Sequence, residues 1–93
     1  MEKELYTTSM NELYEAILKL KNKNECQKFF RDLCTLSELQ TMSERLQVAK
    51  QIQKGTPYRT IAEKTGSSTA TITRVAHWLH HGEGGYKLAL HRV

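Results

Sequence analysis

Tyr58-Arg59-Thr60-Ile61-Ala62-Glu63-Lys64-Thr65-Gly66-Ser67-Ser68-Thr69-Ala70-Thr71-Ile72-Thr73-Arg74-Val75-Ala76-His77 has the spacing of two helices crossing steeply through a short turn. Such a crossing makes demands on particular positions. The first helix needs a small residue where the second presses on it. The turn needs a residue that tolerates positive φ, usually Gly. The second helix needs inward apolar residues one turn apart. Counted from Tyr58, Ala62 is fifth, Gly66 ninth, Ile72 fifteenth and Val75 eighteenth, with Ile61 fourth, so each demand is met. Polar Thr65 and Ser67 beside the glycine fit slightly less well. The spacing predicts a helix-turn-helix over about residues 58–77, and an ordinary αα-hairpin is the competing reading.

Charge weighs against the plain hairpin. Residues 1–44 carry six Lys/Arg and eight Asp/Glu, a net of −2. Residues 45–93 carry eight Lys/Arg against only Glu63 and Glu83, a net of +6, and hold all four His. A basic half beside a mildly acidic one points to a polyanion partner for the former and a structural role for the latter. On the second helix Ser68, Thr69, Ala70, Thr73, Arg74 and His77 are expected to face outward. Small hydroxylated residues at a helix N-terminus suit a major groove, where they bond base edges or phosphates without a bulky stem. The candidate DNA-binding residues are therefore Arg59, Ser67, Ser68, Thr69, Ala70, Thr73 and Arg74. Arg45, Lys50 and Lys54 are candidate phosphate contacts.

Upstream the pattern is helical throughout. Met10, Leu13, Tyr14, Ile17, Leu18 and Leu20 form an apolar stripe after Ser9, the expected N-cap. Lys21-Asn22-Lys23-Asn24 breaks it. Asn24 with Gln27 has capping-box spacing for a second helix that turns Cys26, Phe29, Phe30 and Leu33 inward, and Ser37 with Gln40 repeats the box. A long third helix places Leu39, Met42, Leu46, Ala49 and Ile52 at intervals of three or four until Gly55 stops it. Thr56-Pro57 should cap and open the fourth helix. The fifth is expected from Ser67-Ser68 to about His80, and a brief last helix follows the Gly82-Glu83-Gly84-Gly85 break. The chain reads as all-α, a single domain over residues 1–93. Residues 9–54 would form dimerisation helices, 57–81 the helix-turn-helix and 84–93 the C-terminal helix. Six short helices in 93 residues cannot bury all their apolar stripes alone, so a dimer is expected.

Other function classes find less support. No apolar run approaches the roughly 20 residues of a membrane span. The opening Met1-Glu2-Lys3-Glu4-Leu5 lacks the apolar core of a signal peptide, so a cytoplasmic location is expected. Cys26 and Cys34, eight residues apart on one expected helix, are separated by about 12 Å of rise, too far for a disulfide. They read as buried free thiols. His77, His80 and His81 could pair on a helix, but only Glu83 stands near to complete a metal site, so no metal and no cofactor are expected. There is no nucleophile–base pair, phosphate-cradling Gly loop or paired carboxylate set, and the protein does not read as an enzyme.

From Arg45 onward the chain resembles the Trp repressor family. The resemblance runs through Arg45-Leu46-Gln47-Val48-Ala49, Gly55, Arg59 and Gly66 to Ala70-Thr71-Ile72-Thr73-Arg74, and more weakly through Thr35 and Glu38. It is closest to the YerC/YecD branch, a group of bacterial regulators. The resemblance implies an intertwined homodimer of six-helix subunits that reads a palindromic operator with two helix-turn-helix heads, most simply as a repressor. It also implies an effector pocket, in which Thr35, Arg45 and Arg74 match residues that hold tryptophan in the family. Two departures stand against that ligand. Val75 occupies a position that is Gly in the repressor, and Trp78 one that is Ser, so both fill space an indole would need. The Gly55–Gly66 interval is one residue shorter and carries Thr56-Pro57, which should stiffen the head. Tryptophan is therefore not expected to be the corepressor, and any effector is unnamed. An RNA-binding or protein-docking module that keeps the fold is the alternative reading.

Overall fold

The computed structural model describes residues 2–91, and these contain six α-helices and no strand. The helices are α1 (Thr8–Leu18), α2 (Lys23–Leu33), α3 (Leu36–Gln53), α4 (Tyr58–Thr65), α5 (Thr69–His81) and α6 (Gly85–His91). A short 3-10 turn at Lys3–Tyr6, unforeseen in the sequence, precedes α1. The last helix was expected over 84–93, and residues 92 and 93 lie outside the described part. No described helix is long and apolar enough to cross a membrane. The chain divides into two compact units, residues 1–36 and 37–93.

In the first unit, three cap and burial expectations change. Thr7, not Ser9, caps α1: its side chain accepts from the Met10 amide at 3.2 Å, while Ser9 lies inside the first turn. Asn22, not Asn24, caps α2 by accepting from the Glu25 amide at 2.9 Å. Glu25 completes this start by accepting from the Lys21 amide at 2.8 Å, a carboxylate close to the positive end of the helix. Cys34 ends α2, and Arg31 donates to its carbonyl at 3.1 Å. Both thiols are free but only half-buried, because the unit has no enclosed interior of its own. Neither α1 nor α2 has a buried residue, and Leu18 is 83% exposed.

The second unit has the core. Val48 and Ala49 of α3, Ile61 of α4 and Ile72 and Val75 of α5 are buried together, with Ile52, Ala62, Tyr86 and Leu90 packed around them. Ile61, Ala62, Ile72 and Val75 are the residues the crossing spacing selected. The third helix is different. Of its expected stripe only Ala49 is buried, Leu39 and Ile52 are half-buried, and Met42 and Leu46 are exposed. Val48 and Leu46 lie about 200° apart on a helix, so α3 has two apolar sides and uses only one here. It begins at Leu36, which places Ser37 inside the first turn instead of at the cap. Pro57 stands at the N-cap position of α4, and the Thr56 hydroxyl donates to Gln51 Oε1 at 2.9 Å instead of capping.

The cap reassignment gives a direct test. Asn22→Ala should lower stability by about 1 kcal/mol, and Asn24→Ala by much less. Urea unfolding at one fixed protein concentration measures both. Equal losses, or a larger loss at Asn24, would place the helix start wrongly.

Candidate nucleic-acid interface

The head is built from α4, the turn and α5. Gly66 ends α4 with φ +73°, and its amide bonds the Ala62 carbonyl at 2.9 Å. This left-handed conformation is open to Gly and strained for other residues. Ser68 then caps α5, accepting from the Thr71 amide at 3.1 Å, with its own hydroxyl donating to Thr71 Oγ1 at 3.0 Å. Along α5, Ile72, Val75, Ala76 and Leu79 are buried, while Thr69, Ala70, Thr73, Arg74 and His77 are exposed. Thr69, Thr73 and His77 follow at intervals of four, so they form one outward row. Arg59 of α4, Arg45 and Lys50 of α3 and Lys54 just beyond it are exposed as well.

Ser67 departs from the expected set. It is 5% exposed and its hydroxyl donates to Glu44 Oε1 at 2.6 Å. A buried hydroxyl already bound to a carboxylate is not free to bond DNA, so Ser67 leaves the reading surface. Ser68 is exposed, but the cap occupies its oxygen and its proton.

Four of the five expected effector residues come together. Arg45, Arg74, Val75 and Trp78 line one cleft of about 290 Å³, joined by Tyr86. Val75 is 2% exposed and forms part of the core, whereas Trp78 is 49% exposed. The indole therefore stands at the cleft without closing it. Thr35 is exposed and immediately precedes α3 in the first unit. Tyr86 was missed because it arrives from beyond the glycine break, where local spacing carries no information. His77 packs edge-on against Trp78 at 5.7 Å and lies 5.3 Å from His81, centroid to centroid. Among the described residues no three His, Cys, Asp or Glu gather as a metal site.

The profile of the Trp repressor protein family matches residues 8–93. The chain belongs to the Trp repressor family. It is 45% identical over 84 residues to YerC of Bacillus subtilis (strain 168), an uncharacterised protein, covering 90% of this chain and 81% of that one. A TrpR-like protein from Eubacterium eligens superposes with a TM-score of 0.94 at 43% identity, covering 98% of this chain and 94% of that one. A proposed Trp repressor from Staphylococcus aureus gives 0.91 at 48% identity, covering 97% and 90%. The chain is thus a Trp-repressor-like protein of the YerC branch, and DNA-binding regulation, not catalysis, is the function class that fits this family.

Gly82 sets the end of α5 in this family member. Its amide bonds the Trp78 carbonyl at 2.9 Å, and a Cβ there would collide with that carbonyl and approach Trp78 Cε3 to 3.1 Å. Gly82→Ala should therefore cost about 1–3 kcal/mol and shift the emission of Trp78, the sole tryptophan. Fluorescence-monitored urea unfolding reads both, and an unchanged midpoint with unchanged emission would contradict the contact.

Proposed function

We propose that this chain is a homodimeric, sequence-specific transcription regulator, acting as a repressor, that reads a palindromic operator with two copies of the α4–α5 head. The observation that carries the reading is the division of α5. One side is locked into the core by Ile72, Val75, Ala76 and Leu79, and the other presents Thr69, Ala70, Thr73, Arg74 and His77 to solvent. A rigid helix with small polar side chains toward its start can enter a major groove and bond base edges. Arg59, Lys50 and Lys54, in a half of the chain with net charge +6, supply phosphate affinity.

The dimer rests on unburied apolar surface. Helices α1 and α2 bury nothing, and Leu18, Leu33, Leu36, Met42, Leu46 and Leu88 are 39–83% exposed. Exposed apolar side chains of this number suit an interface, and a second copy intertwined through residues 9–54 would cover them.

Tryptophan is not the switch in this reading. In the family the ligand fills a gap between the third helix and the recognition helix. Here Val75 fills core space itself and Trp78 adds an indole at the cleft, so the head is braced without a ligand. Arg45 and Arg74 are then available to phosphate or to an acidic effector.

Binding of ligand-free protein to duplex DNA and to RNA across a salt series tests the reading. Duplex preference with a steep salt slope is expected, and flat, weak binding to both would favour a docking module instead. Thr73→Ala should cost about 1–3 kcal/mol on a preferred site. Added L-tryptophan should change nothing. Saturable tryptophan binding below about 100 µM, worth roughly 5.5 kcal/mol, with tighter DNA binding would contradict the ligand-free brace.

A further inference from the structure

We propose that Glu44 is a positioning residue for DNA reading: by accepting the Ser67 hydroxyl, its carboxylate fixes the angle at which the α4–α5 head stands on α3. This rests on the DNA-reading function proposed above. Ser67 is the one buried polar residue among those described. It sits in the turn between the two head helices, and its partner lies 23 residues earlier in the chain, on α3. The Thr56–Gln51 and Ser68–Thr71 side-chain hydrogen bonds, by contrast, join residues three to five apart. At 2.6 Å the Ser67–Glu44 contact has the length of a charge-assisted O–H···O⁻ bond.

The turn is organised around this contact. The Ser67 amide donates to Thr65 Oγ1 at 3.2 Å. Thr65 Oγ1 in turn lies 2.7 Å from the Ile61 carbonyl and 2.9 Å from Ser67 Oγ, sharing its one proton between them. Movement at Glu44 is thereby passed to the end of α4 and the start of α5. The packing of Val48 and Ala49 on Ile61, Ile72 and Val75 is non-directional and tolerates small rotations and slides. A short hydrogen bond to a half-buried carboxylate does not.

Charge points the same way. Glu44 is the last residue of the mildly acidic half and stands beside a head drawn from the half with net +6. Its carboxylate opposes an approaching polyanion, so by charge alone Glu44 weakens DNA binding. Its effect through position has the opposite sign, and that makes the two separable.

The test uses full-length, ligand-free wild type, Ser67→Ala, Glu44→Ala, Glu44→Gln and the Ser67→Ala/Glu44→Ala double variant. Ser67→Ala removes the bond while leaving Glu44 beside its other groove neighbours, Lys64 among them. Amide hydrogen exchange needs no DNA. Both single alanine variants should speed exchange at residues 61–69 by at least about fivefold while leaving α3 amides slow. The double variant should match the singles. On a preferred duplex each alanine variant should bind about tenfold more weakly, equivalent to about 1.4 kcal/mol, with affinity for unrelated duplex kept or improved. Glu44→Gln, which retains an acceptor, should stay within about threefold of wild type. Exchange unchanged in Ser67→Ala, or accelerated evenly over the whole chain, would overturn the proposal. So would tighter binding of Glu44→Ala to the preferred duplex. A wild type without duplex preference would instead defeat the DNA reading, and the exchange arm would still judge the brace.

Discussion

Five side chains hold the head of this protein in place: Val48 and Ala49 of α3, Ile61 of α4, and Ile72 and Val75 of α5, all nearly or wholly removed from solvent. Val48, Ile61 and Ile72 are the largest fully buried side chains, each worth about 1.5–3 kcal/mol of burial. This packing, with Ala76 and Leu79 also buried on α5, decides which face of α5 is available to solvent. Ala49 and Ala62 matter because they are small, allowing the helices to approach closely. Ser67 adds as much as one of those apolar residues through its bond to a charged acceptor, about 1.5–3 kcal/mol, but in a directional form.

The same constraint explains the rest of the chain. Once one side of α3 has been given to the head, Met42 and Leu46 are left outside. Helices α1 and α2, amphipathic and without a buried residue, share that condition. In the proposed dimer a second chain would supply the missing core. In that proposal the two-sided α3 would link assembly to the angle of the reading head.

Much of this was legible in residues 58–77, because a steep helix crossing restricts several positions at once. Ala62, Gly66, Ile72 and Val75 have few substitutes, so their spacing carries information. Helix starts were harder to place. Asn22 and Asn24 are chemically the same cap, and the choice depends on Glu25 reaching back to the Lys21 amide, a contact no spacing rule ranks above Gln27. Pro57 took the cap position because Thr56 found a better partner in Gln51. Ser67 was read as outward since hydroxyls beside a turn usually meet solvent, and its partner lies 23 residues away. Tyr86 and the exposure of Leu46 were hidden for the same reason: both are settled by tertiary contacts across a helix or a glycine break. Val75 is buried in the core, as the helix-crossing spacing required, while Trp78 borders the cleft without closing it.

The central claim is that the head is held ready by the chain's own packing and reads DNA as one of a symmetric pair. Selection of bound fragments from a random duplex pool by ligand-free protein tests it most directly. The account predicts an enriched motif of two inverted half-sites whose centres lie one helical turn, about 34–36 Å, or a multiple of it apart. Enrichment that appears only when L-tryptophan is added, or no enriched duplex at all, would contradict it.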